Sequence, residues 1–91
     1  MNEAAIEKKV CAHAKKLGWL AYKFASPSNR GVPDRIFMRH GAVFFIEFKG
    51  TGKRASDLQN EMMRKIHTTG GIDCYTVDNA EIGRKIIDAR S

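Results

Sequence analysis

A chain of 91 residues with 43% hydrophobic residues is expected to form one small domain, residues 1–91, whose modest core a partner subunit can supplement. No apolar run is long enough to span a membrane, and the polar opening Met1-Asn2-Glu3-Ala4-Ala5 is not a signal peptide, so a cytoplasmic protein without a membrane partner is expected. The net charge of +6 is uneven: residues 1–65 hold thirteen Lys/Arg against six Asp/Glu and residues 66–91 three against four, so the first part would attract a polyanion.

In chain order, Ile6, Val10, Ala14 and Leu17 recur at helical spacing before Gly18, which predicts an amphipathic helix over 3–17. Trp19–Phe24 reads as a first strand, and Ala25–Gly31 as a polar loop with strong turn chemistry. Asp34–Arg39 reads as a second strand. His40-Gly41 turns the chain into a third, Ala42–Lys49, whose apolar run through Ile46 suits a central strand covered on both faces. Gly50–Ala55 is a basic connection. Ser56 with Gln59 fits a capping box, and Leu58, Met62, Met63 and Ile66 stripe the helix that follows. Gly70-Gly71 stops it, and Ile72–Val77 is a fourth strand. Asp78 with Glu81 offers a cap for a last helix, with Ile82, Ile86 and Ala89 expected inward and Ile87 left for another partner. The order α-β-β-β-α-β-α makes an α/β fold, a small mixed sheet flanked by helices, with the third and fourth strands parallel across the helical crossover.

Cys11 and Cys74 have no metal-ligand spacing and read as two buried thiols. His13, His40 and His67 are scattered and have no partner in sequence. The chemistry concentrates elsewhere, in Gly31-Val32-Pro33-Asp34, then Glu47-Phe48-Lys49, then Gln59. Pro33 gives Asp34 a rigid lead-in, which a carboxylate holding a hard cation needs. Glu47 and Lys49 share one side of a strand that is otherwise apolar, an arrangement costly without partners. Two carboxylates and an ammonium on adjacent strands suit a divalent-metal-dependent phosphodiesterase: Asp34 and Glu47 hold Mg²⁺ or Mn²⁺, the Phe48 carbonyl adds a ligand, and Lys49 steadies charge on the phosphate. Each residue also has a plainer role. Asp34 can be a turn residue, Glu47 can pair with Lys49, Gln59 can serve only the cap, and Glu7, beside the apolar stripe, can be an exposed helical acid rather than a further metal ligand. Arg30, Arg35, Lys53 and Arg54 surround the motif as candidate phosphate contacts.

Taken together and in order, Gly31-Val32-Pro33-Asp34-Arg35, Phe45-Ile46-Glu47-Phe48-Lys49 and Gln59, with Tyr22-Lys23-Phe24, Ser26-Pro27 and Glu7, resemble the virus-type replication-repair nuclease (VRR-NUC) domain of the PD-(D/E)xK nuclease superfamily. The resemblance covers essentially the whole chain. It implies a restriction-endonuclease-like fold and a metal-dependent DNA endonuclease selective for branched DNA such as four-way junctions or flaps. The catalytic set would be Asp34, Glu47, Lys49, Gln59 and Glu7, the ion being held by Asp34, Glu47, Phe48 and Glu7. It also implies a homodimer, no nucleotide cofactor, and a host-cell cytoplasm if the source is a phage. The alternative is a non-catalytic or complex-dependent nucleic-acid-binding repair module. A phosphohydrolase of small nucleotides would need a closed pocket with a stacking group, and the aromatics here fall mostly in strands.

Overall fold

The computed structural model describes residues 1–91. Helix α1 (Glu3–Lys16) starts under Asn2, whose side chain accepts from the Ala5 amide at 2.8 Å. Ile6, Val10 and Ala14 are buried as their spacing requires, with Cys11 beside them, whereas Leu17 lies past the helix end and is exposed. Strand β1 (Leu20–Lys23) pairs antiparallel with β2 (Arg35–Arg39), and β2 with β3 (Ala42–Phe48). His40 and Gly41 both have positive φ, at 48° and 83°, in the two-residue turn between β2 and β3, and that turn twists with the strands it joins. Helix α2 (Asp57–Thr68) then crosses to β4 (Asp73–Val77), which runs parallel to β3, and α3 (Ala80–Arg90) ends the chain.

The sheet order is β1-β2-β3-β4, so the apolar β3 is central. Side-chain alternation along it decides what each face receives. Phe44, Ile46 and Phe48 join Phe37 of β2 and Ile6, Val10 and Ile87 of the α1–α3 layer in the main core. Phe45 and Glu47 point to the other face. There Phe45 packs on Phe24 with ring centroids 4.9 Å apart, and α2 lies against β4. Over β1 and β2 this second face is open: Leu20 and Tyr22 are about half exposed, and Ile36, Met38 and Val43 are half-buried beside them in register.

Helix α3 departs from the sequence reading in phase. Its cap is Asn79, which accepts from the Glu81 and Ile82 amides at 2.8 and 3.1 Å, and not Asp78. Its inward residues are Gly83 and Ile87. Ile82 and Ala89 face outward, and Ile86 is half-buried. The cause is a close approach to α1. A Cβ on Gly83 would stand 2.4 Å from Val10 Cγ2, so the helices meet at that glycine, and the face four residues on is Ile87. Ile87 is therefore core and needs no partner subunit.

Candidate active site

The C-terminal ends of β1, β3 and β4 and the start of β2 lie at one end of the sheet, together with the first turns of α1 and α2. Asp34 occupies the bend one residue before β2, after the buried Pro33. Its carbonyl accepts from Phe24 N at 2.8 Å, which carries the β1–β2 ladder one bond further. Its carboxylate Oδ2 accepts from Phe48 N at 2.8 Å. Asp34 is thus tied by its backbone to the end of β1 and by its side chain to β3, the strand that carries Glu47.

Glu47 is 2% exposed, the most enclosed charge in the protein. Its Oε2 receives Lys49 Nζ at 3.2 Å and Gln59 Nε2 at 3.0 Å, while Oε1 is buried with no hydrogen-bond partner. Burial raises the Glu47 carboxyl above the usual carboxylate range, the Asp34 charge raises it further, and Lys49 only partly offsets this. Lys49 stays on the Glu47 side because its amide bonds Val77 O at 2.9 Å, holding the extended register beyond the strand end.

Gln59 performs two roles that sequence reasoning sets in competition. Its Oε1 accepts from Ser56 N at 2.9 Å and its backbone N–H donates to Ser56 Oγ at 3.1 Å, which completes the capping box. The remaining NH₂ end reaches Glu47. The loop ahead of Asp34 docks on the same helix: Gly31 has φ +86°, and a Cβ there would lie 3.0 Å from Leu58 Cγ. On the other side, Gly52 N donates to Asp78 Oδ2 at 3.0 Å and Thr51 N to Met1 O at 3.2 Å. Those bonds bring the Gly50–Ala55 connection and the chain start together beside Lys49.

Glu7 is not brought to this group. It lies on α1, over the opposite face of the sheet, where its Oε2 accepts from Arg35 Nε at 2.6 Å and Lys23 Nζ at 2.8 Å. Burial raises its carboxyl, but bonds and charge from Lys23 and Arg35 outweigh that and leave it below the usual range. The α1 carboxylate whose charge reaches Glu47 is Glu3, one turn earlier, with its backbone packed beside Gly50. Sequence periodicity favours Glu7 because it borders the apolar stripe. Glu3 is distinguished only by the helix start lying over the strand end, which is a tertiary fact. No three His, Cys, Asp or Glu side chains converge as a ready-made metal cage.

Of the candidate phosphate contacts, Arg30, Lys53 and Arg54 are exposed. Lys53 and Arg54 line a cleft of about 460 Å³ with Asp57, Asn60, Thr76 and Asp78 at the β4 edge. Arg35 is largely engaged, bonding Glu7 and the Ala21 carbonyl at 2.9 Å. The cysteines are free, and burial pushes the Cys74 thiol up to about 11. His13 bonds Asp88 at 2.6 Å and His67 lies 3.4 Å from Asp73, so neither serves the site. No helix is long and apolar enough to cross a membrane.

No family model matches the chain. Over 60 residues it is 40% identical to the "Putative nuclease p44" of Acyrthosiphon pisum secondary endosymbiont phage 1, a stretch covering 65% of this chain and 64% of that protein's length. A solved structure described as a VRR_NUC domain superposes with a TM-score of 0.86 at 20% identity, covering 98% of this chain and 97% of the other. The element order, the mixed four-stranded sheet and that superposition agree: the chain folds as a VRR-NUC domain.

Proposed function

We propose that this protein is a divalent-metal-dependent DNA endonuclease, hydrolysing phosphodiester bonds at the Asp34–Glu47–Lys49 end of the sheet. The observation that carries the reading is Glu47: a buried carboxylate beside Asp34, gripped on one oxygen by Lys49 and Gln59, with the other oxygen unpartnered. An unpaired buried oxygen, and a carboxyl whose proton affinity is raised by burial and by the neighbouring Asp34, are what a hard cation relieves. Asp34, Glu47 and the Phe48 carbonyl would hold Mg²⁺ or Mn²⁺, with Glu3 adding negative charge from α1. Such an ion supplies a Lewis acid for the phosphate and a nucleophilic hydroxide at neutral pH.

The chain's own groups do the rest. Lys49 places a fixed positive charge where phosphoryl oxygens gain charge. Gln59 fixes the Glu47 rotamer and is itself fixed by the α2 cap. Arg30, Lys53 and Arg54 hold the DNA backbone. Glu7, on the far face, anchors Lys23 and Arg35. The fold of a VRR-NUC domain and the phage relative named as a nuclease support this reading.

The finer proposals are a branched substrate, four-way junction or flap, and a homodimer that presents two sites to it. The open sheet face around Leu20 and Tyr22 is the surface proposed for the second copy. Labelled linear, flap and junction DNAs incubated with Mg²⁺, Mn²⁺ or EDTA test the activity. Metal-dependent cleavage, fastest on the branched DNAs, is expected. Tight binding without cleavage in either metal would favour a binding module instead.

A further inference from the structure

A second cleft, of about 370 Å³, lies between α1 and the β1–β2 side of the sheet. Ala4, Glu7, Lys8, Cys11, Ala12, Lys15 and Arg35 line it, and Lys23 joins Arg35 on the Glu7 carboxylate. The cleft and its edge therefore carry four cations and one acid. Two of them, Lys23 and Arg35, are fixed by that acid, while Lys8 and Lys15 are exposed on the helix above. The small side chains of Ala4 and Ala12 leave the groove open between them.

We infer that this cleft is a second backbone-binding site for duplex DNA, on the flank of the catalytic end opposite Lys53 and Arg54. The inference rests on the nuclease reading above. Its geometry follows from the sheet order. The Lys53–Arg54 cleft borders β4, the α1 cleft borders β1 on the opposite face of the sheet, and Asp34 and Glu47 lie between them in strand order, at the ends of β2 and β3. The protein measures 32 Å along its longest axis, so a duplex crossing from one cleft to the other spans at most about nine base pairs at ~3.4 Å each. Lys8 and Lys15 are seven residues apart on one side of α1, a rise of about 10 Å, so they form a short row of positive charge along the cleft. No aromatic side chain lines the cleft, so it lacks the stacking platform that single strands use. Contacts of this kind position a duplex arm and carry no base preference.

The same helix provides the control. Lys9 and Lys16 are exposed on its other flank, towards α3, where His13 meets Asp88. Binding of a labelled 25-base-pair duplex is measured by fluorescence anisotropy over a salt series, in Ca²⁺ or EDTA. The proteins are the parent, Lys8→Gln/Lys15→Gln and Lys9→Gln/Lys16→Gln. The first variant is expected to bind about tenfold more weakly at moderate salt, with a log–log salt slope shallower by about two, since each lost phosphate contact removes ~0.9. The second is expected to stay near the parent. Equal losses in both variants, or a Lys8/Lys15 variant with the parent's slope, would overturn the cleft site. If the parent cleaves DNA in Mg²⁺ while that variant binds as tightly as the parent, the inference fails and the nuclease reading stands. If the parent neither binds nor cleaves duplex, both fall.

Discussion

Gln59 Nε2 lies 3.0 Å from Glu47 Oε2, and the other end of the same amide holds the Ser56 N–H that opens α2. A helix cap and a buried carboxylate are therefore one unit. The rotamer of Glu47 is set by where α2 begins, and α2 cannot shift along its axis without releasing Glu47.

Substitutions at Gln59 separate the two halves of that unit. Gln59→Ala should lower stability by about 1 kcal/mol, the usual cost of losing a reciprocal cap, and reduce cleavage at least tenfold. Gln59→Glu keeps a capping side chain but sets a third carboxylate beside Asp34 and Glu47. It should recover the thermal midpoint more than the activity. Parallel recovery of both would assign Gln59 to the cap alone.

Lys49→Ala should retain DNA affinity and bind metal at least as well as the parent, because it removes a nearby positive charge. Its cleavage rate should fall by a factor of about a hundred or more, the pattern of a contact made chiefly in the transition state. Stability should drop by about 1–3 kcal/mol, since Glu47 loses a charged partner at a buried position. Unchanged turnover with weakened binding would make Lys49 a binding residue only.

Glu7 gives a pH signature of its own. Its carboxyl is held below the usual range by Lys23 and Arg35, once their effect has outweighed burial. A lowered folded-state pKa stabilises the protein above the unfolded value, near 4.5, and that contribution is lost as pH falls through the folded value. Glu7→Gln should thus be less stable than the parent at pH 7, with the gap in thermal midpoint closing below about pH 4.5. The metal-induced rise in midpoint should survive in Glu7→Gln, because Glu7 lies across the sheet from Asp34 and Glu47. Loss of that rise would return Glu7 to the metal site.

Sedimentation equilibrium at micromolar protein should give twice the 10.2 kDa chain mass. Leu20→Ser/Tyr22→Ser, which makes the open face polar, should give a monomer that stays folded. A monomeric parent would remove the dimer and the paired-site model.

Much of this was legible in the residues. The capping box, the His40-Gly41 turn, the central β3 and its polar end at Glu47 and Lys49 are local patterns, and each stands where the pattern puts it. What was not legible depends on how helices meet. Gly83 stands out in no residue pattern until Val10 is placed against it, and that contact turns Ile87 inward and Ile82 outward. Likewise, Glu3 and Glu7 are one turn apart on one helix. Only the position of α1 across the strand ends tells which charge reaches Glu47 and which meets Arg35.

The most direct test of the central claim is single-turnover cleavage of a labelled four-way junction in Mg²⁺ and Mn²⁺ by the parent and Asp34→Ala, with folding of both verified by circular dichroism. Asp34 is half-buried and linked to β3 through Phe48 N, so the variant should fold with a somewhat lower midpoint. If Asp34 holds the metal, the parent cleaves only with metal and the variant loses at least a thousandfold, about 4 kcal/mol of barrier. Cleavage by Asp34→Ala at the parent's rate would contradict that role.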